Sequence, residues 1–152
     1  EAPGKDEDRG GLPFIGQAGQ LLNKMLSSID IERSRDCYIT NMIAWRPPGN
    51  RTPTQHEIEI CRPFIERHIE LVRPKLLIFM GNVSSKSLLN TAKGILSIRG
   101  QWHEYCVKLD NSQEYIIPVM PTLHPAYLLR NPSAKRLSWQ DLCNISLKLN
   151  EC

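Results

Sequence analysis

The residues from Thr122 to Pro132, reading TLHPAYLLRNP, gather varied chemistry into one short run. His124 stands at a proline-kinked turn, Leu128 and Leu129 follow, and Arg130 closes the set. An imidazole donates or accepts hydrogen bonds near neutral pH. An apolar pair just beyond it offers a wedge, and a guanidinium is a phosphate ligand. Donor, wedge and phosphate ligand so close together suit the task of holding a base outside a nucleic-acid stack. Two other runs add to the set. Residues 1–16 place Glu1 and Phe14 among glycines and prolines, and Ile39-Thr40-Asn41 ends a β-rich run on a carboxamide. Alone, each residue has a plainer reading. Phe14 suits a core aromatic anchoring a loop, Asn41 a turn cap, and Leu128 with Leu129 one helical turn packed inward. His56, His68 and His103 sit in helical or strand patterns and read as surface or core residues.

These groups need a scaffold. Residues 1–16 read as a loop. Ala18, Leu21, Leu22, Met25, Leu26 and Ile29 share one helical face, which predicts a helix over 17–29. Cys37 to Ile43 predicts a short strand ending at Asn41 or just after. Residues 46–53 hold three prolines and a glycine and predict a rigid loop. Thr54 and Glu57 form a capping box that opens a helix carrying Ile58, Cys61, Ile65, Ile69 and Val72, broken before Pro74. A buried strand follows over 75–80, then a helix over 84–91. Strands over 102–108 and 115–120 flank an Asp110-Asn111 turn, and an amphipathic helix spans 134–149. Strands alternating with helices give an α/β domain on a mainly parallel sheet. Ligand sites in such sheets lie at the carboxyl ends of strands. Asn41, Gly81 and His124 all fall at or just past such ends.

Composition sets the bounds. The 152 residues make one domain, 1–152, with 41% hydrophobic and 23% charged residues, the balance of an ordinary globular protein. The net charge of +3 identifies no partner by itself. Its distribution says more: Arg46 and Arg51 are the only ionic side chains between Asp36 and Glu57, and Arg130, Lys135 and Arg136 between Glu114 and Asp141. Two acid-free stretches carrying cations can line one positive face; the alternative is two loops that happen to lack acids. The five cysteines show no C-x-x-C pair, which argues against a disulfide framework and for a reducing cytoplasm. No apolar run approaches the roughly 20 residues of a membrane span, so no membrane role is expected.

The order E-A-P-G, P-F-I-G-Q-A-G, I-T-N, R-P-P-G-N-R and H-P-A-Y-L-L-R-N resembles the family-4 uracil-DNA glycosylases over nearly the whole chain. The resemblance implies a three-layer α/β/α domain with a central, mainly parallel four-stranded sheet. It also implies a strand just before Glu1, so the chain is expected to lack its N-terminal strand. Function follows the same likeness: a monomeric base-excision-repair enzyme that flips uracil out of single- or double-stranded DNA and hydrolyses its N-glycosidic bond without a catalytic metal.

The resemblance also assigns roles. Phe14 is the aromatic on which uracil stacks. Asn41 is the reader: its acceptor suits uracil N3–H and its donor suits O4, whereas cytosine has the opposite polarity at both atoms. An unmatched buried polar group costs about 1–3 kcal/mol, and selectivity requires a second hydrogen bond that fixes the carboxamide. His124 donates to O2 as negative charge builds on the departing base, a contribution of roughly 3–4 kcal/mol. Ala2 and Gly4 turn backbone amides to the nucleotide. Leu128, with Leu129 second, is the wedge, and Arg51, Arg130, Ser133, Lys135 and Arg136 suit the DNA backbone. Glu1 and Asn50 are the two candidates for orienting water.

Two departures stand out. The family's [4Fe-4S] cluster uses four cysteines, yet Trp45 stands where one precedes R-P-P, Cys61 matches another, and the C-x-x-C pair is missing. One cysteine cannot hold a cluster, so no cluster or other cofactor is expected here, with Trp45 packing in its place. A related branch crosslinks to uracil-DNA through a histidine where this chain has Asn50. A non-turnover uracil-DNA binding or crosslinking protein, and an inactive truncated remnant, are therefore the rival readings.

Overall fold

The computed structural model describes residues 1–109 and 112–151. Helix α1, Lys5–Gly10, opens the chain, followed by α2, Gln17–Ser27, and the short α3, Arg33–Asp36. The long α4, Gln55–Val72, leads into β1, Leu77–Met80, then α5, Asn82–Leu89, and α6, Ile95–Ile98. Strands β2, His103–Lys108, and β3, Glu114–Thr122, precede α7, Pro125–Arg130, and α8, Lys135–Glu151. The Asp110-Asn111 turn expected between β2 and β3 lies outside the described residues.

The capping box reads as expected: the Thr54 hydroxyl accepts the Glu57 amide, and Glu57 accepts the Thr54 amide, which fixes where α4 begins. The helix stops where Arg73 adopts a left-handed conformation just before Pro74. The loop expected over 1–16 contains α1, with Asp6, Glu7 and Asp8 in its first turn, where carboxylates favour the helix dipole.

The architecture is mixed α/β, with helices on both faces of the sheet. Alternation along the strands divides the core. Leu77, Phe79, Ile117 and Val119 point to the side of α4, against Ile58, Cys61, Ile65 and Ile69. Ile78, Met80 and Met120 point to the other side, against Met25, Leu128, Leu142 and Ile145. On that second side Asp141 is fully buried and holds the end of β3: it accepts the Thr122 hydroxyl at 2.7 Å and pairs with Arg99, whose Nη2 also donates to the Leu137 carbonyl at 2.9 Å.

The sheet seen is smaller than the four mainly parallel strands expected, and mixed. Among the described residues three strands pair in the order β1-β3-β2, with β1 parallel and β2 antiparallel to β3. The missing member is the run expected over Cys37–Ile43. Its backbone is extended at Cys37 (φ −123°, ψ 140°), but it pairs in no ladder among the described residues. A cavity of about 420 Å³ separates it from β1, with Cys37 to Met42 on one wall and Leu76 to Met80 on the other. β-propensity made the segment extended; a ladder also needs a neighbour within about 5 Å.

Candidate functional site

Three chain segments meet around Gly81. Its amide donates to the Thr122 carbonyl at 2.9 Å, locking the end of β1 to the end of β3 two residues before His124. The Glu1 carbonyl accepts the Ile43 amide at 3.0 Å, which draws the Asn41 run to the same end. Gly81 has a φ of 90°, and a Cβ there would stand 3.2 Å from His124 Cβ and 3.4 Å from Glu1 Oε1. Only glycine combines that conformation with so close an approach of imidazole and carboxylate.

His124 caps α7. Its Nδ1 accepts the Ala126 amide at 3.0 Å, and Pro125 takes the first helical position. An accepting Nδ1 places the ring proton on Nε2, so the neutral imidazole presents a single donor. Burial, reinforced by Arg130, pushes its pKa down from 6.5 to about 3. The ring is therefore neutral throughout the physiological range.

Phe14 stacks on this imidazole with centroids 5.5 Å apart and planes 29° from parallel. Glu1, Phe14 and Asn41 line the same cavity, which continues as the apolar slot beside β1. His124 does not line it and stacks on Phe14, which does. Asn41 is half-buried, and among the described residues no hydrogen bond fixes its carboxamide. The structure thus brings Phe14, His124 and Glu1 together and sets Asn41 on the same cavity.

Other expected residues fall elsewhere. Leu128 is 1% exposed within the core and cannot serve as a wedge, whereas Leu129, at 42%, projects outward. The run after His124 is helical, so neighbouring residues point about 100° apart. Asn50 is exposed in a tight turn, accepts from Arg46 Nε at 2.7 Å and does not line the cavity. Arg51 is paired with Glu57, reaching both carboxylate oxygens at 2.8 and 2.9 Å at the start of α4. Ala2 packs against the core on the α4 side and Gly4 caps α1. Arg130, Ser133, Lys135 and Arg136 are exposed, and the three cations have no carboxylate partner among the described residues.

Among the described residues, Cys61 alone matches a position of the cysteine set that the resemblance implies. Cys61 is buried among apolar side chains, and no group of three or more His, Cys, Asp or Glu suited to a metal occurs among the described residues. Trp45 is 40% exposed and donates to Glu57 at 3.3 Å, so it lies on the surface against the start of α4 rather than buried in place of a metal staple.

Nothing in the sequence singled out Arg33 or Glu7, yet both hold the Phe14 loop. Arg33 donates to the Pro13 and Phe14 carbonyls, each at 2.5 Å, and Glu7 accepts the Ile15 and Gly16 amides at 3.1 and 2.9 Å. Those amide hydrogen bonds outweigh desolvation and hold the Glu7 carboxyl below its ordinary range.

The family described as the uracil DNA glycosylase superfamily matches residues 1–148. A type-4 uracil-DNA glycosylase of Sulfurisphaera tokodaii is 37% identical over 95% of this chain and 66% of its own length. That of Saccharolobus solfataricus is 36% identical over 99% of this chain and 69% of its own. A third, from Pyrobaculum aerophilum, is 36% identical over 93% and 71%. The chain thus spans about two thirds of the length of these relatives. A family match over residues 1–148, joined to relatives of one type at 36–37% identity over most of the chain, shows that the chain belongs to the uracil-DNA glycosylase superfamily and, within it, to the type-4 branch.

Proposed function

We propose that this chain is a DNA-repair glycosylase that removes uracil by hydrolysing its N-glycosidic bond. The observation that carries this is the neutral His124 beneath the Phe14 ring, with the Glu1 carboxylate across Gly81. A base hydrogen-bonded to Nε2–H lies near the imidazole plane, because the N–H bond points along it. The near-parallel Phe14 ring then covers that base from the adjacent layer. Base extrusion costs a few kcal/mol of lost stacking and pairing, and the Phe14 face returns part of it. Asn41 reads N3–H and O4.

As the glycosidic bond lengthens, electrons move onto the uracil ring and the sugar becomes cationic. The Nε2 donor stabilises the anion forming at O2 without a proton leaving the enzyme. Glu1, the candidate that lines the cavity, orients a water toward the sugar carbon. Uracil leaves with the bonding pair as its anion, water oxygen bonds to that carbon, and the water's proton passes to the Glu1 carboxylate and from there to solvent or the departed uracil anion. Leu129 fills the vacated stack, while Arg130, Ser133, Lys135 and Arg136 hold phosphates.

The finer features of the reading belong here too. The chain acts as a monomer on single- or double-stranded DNA, in the reducing cytoplasm suited to its unpatterned cysteines. The sheet's fourth place is the slot between residues 37–42 and β1; strong hydrogen-exchange protection of the outer β1 amides would mark it as filled.

The test incubates the chain with single- and double-stranded uracil-containing oligonucleotides and then adds alkali. Free uracil and strand breaks are expected. A retained protein–DNA band would mark the crosslinking reading, and intact strands without a band would overturn turnover.

A further inference from the structure

Phe14 is held in a conformation that an aromatic residue seldom adopts. Its φ is 52°, in the left-handed region, where a Cβ meets the carbonyl oxygen and strain of about 1–2 kcal/mol follows. A strained residue persists only where its surroundings determine it, and the surroundings here are specific. Four consecutive backbone groups are gripped by two side chains of opposite charge. The Pro13 and Phe14 carbonyls, turned one way, meet the Arg33 guanidinium from α3; the Ile15 and Gly16 amides meet the Glu7 carboxylate from α1. Asn23 on α2 accepts from the same Arg33 nitrogen at 3.0 Å, fixing the fork in place. Gly19 completes the seat: a Cβ there would overlap the Phe14 carbonyl.

A planar fork with two donors matches two adjacent carbonyls as a single ammonium cannot. The backbone so fixed has one outlet, the Phe14 ring, which lies on His124. We propose that Arg33 is a positioning residue: by gripping the carbonyls on either side of the Phe14 α-carbon it holds that ring over His124, and so sets both the dryness of the imidazole and the tightness of the pyrimidine slot without touching the base. The part concerning the pyrimidine rests on the function proposed above; the part concerning the imidazole does not.

The experiment uses both parts. The chain, Arg33→Ala, Arg33→Lys, Phe14→Leu and the Arg33→Ala/Phe14→Leu double variant are titrated by NMR at the His124 ring, alongside kcat, KM and thermal unfolding. Loss of the covering ring hydrates His124 and raises its pKa. The expected result is a rise of roughly a unit or more in Phe14→Leu and in Arg33→Ala, no further rise in the double variant, and a smaller rise in Arg33→Lys. In parallel, KM for a uracil-containing oligonucleotide increases about tenfold in Arg33→Ala with a smaller change in kcat, and the two substitutions are non-additive in kcat/KM while adding in thermal stability. Arg33→Lys keeps the fold testable should Arg33→Ala unfold. Unchanged His124 titration in both Arg33 variants, with a shifted one in Phe14→Leu, overturns the proposal. A shifted titration in a chain that releases no uracil upholds the clamp and sinks the function instead.

Discussion

The pKa of His124 makes the sharpest prediction. A histidine at its ordinary value of 6.5 is about 76% neutral at pH 7 and about 3% neutral at pH 5, so a reaction needing the neutral ring slows about 25-fold over that interval. With a pKa of about 3, the ring is still about 99% neutral at pH 5. Single-turnover uracil release is expected to be flat from pH 7 to pH 5. The same shift has a cost in stability. The folded value lies below the unfolded one, so between pH 6.5 and about 3 the unfolded chain takes up a proton that the folded chain refuses. The His124 contribution is whole above 6.5 and is lost as pH falls toward the folded value, at about 1.4 kcal/mol per pH unit, or roughly 2 kcal/mol by pH 5. Replacing His124 by Ala removes this dependence along with the titrating ring, and lowers kcat by about 10²–10³-fold through loss of the donor. Urea unfolding of both proteins at pH 7 and pH 5, beside the single-turnover series, measures the two effects. A break in the rate near pH 6.5, or equal pH-dependence of stability in the two proteins, would refute the neutral, buried imidazole.

Three further outcomes follow from the placement of individual side chains. Leu129→Ala is expected to slow uracil release about tenfold from a duplex and little from a single strand, whereas Leu128→Ala leaves that ratio unchanged and loses about 2–5 kcal/mol in urea unfolding, because it empties a core position. Asp141→Asn strands Arg99 beside a fully buried neutral group and should cost about 3–5 kcal/mol, read from the urea midpoint; a loss below about 1 kcal/mol would show that the pair does not anchor β3. Replacing Arg130, Lys135 and Arg136 singly by Ala should each reduce the slope of log affinity against log salt by about one, measured by fluorescence anisotropy, while Arg51→Ala, whose cation is bound to Glu57, leaves it unchanged.

What the sequence could disclose follows from how local each determinant is. The capping box at Thr54 and Glu57 lies within one turn, so its reading survives intact. His124 was visible for a similar reason: a proline at the next position both fixes the turn and frees Nδ1 to cap α7. Its protonation was not visible, because it depends on burial in the folded chain, where the ring that stacks on it, Phe14, comes from more than a hundred residues away. Leu128 and Leu129 differ by one position and exchange roles once the run becomes helical, a distinction that composition does not carry. The strand expected over residues 37–43 had the right propensity, but pairing belongs to the neighbour as much as to the segment. Arg33 shows the limit most clearly. It stands in a charged, unremarkable stretch, ERSRD, and its work is done on carbonyls nineteen and twenty residues away. A backbone contact leaves no side-chain partner in the sequence to look for. The candidate site residues were thus nameable from the order of motifs and the family it resembles, while the side chains that hold them in place became readable only once the chain had folded.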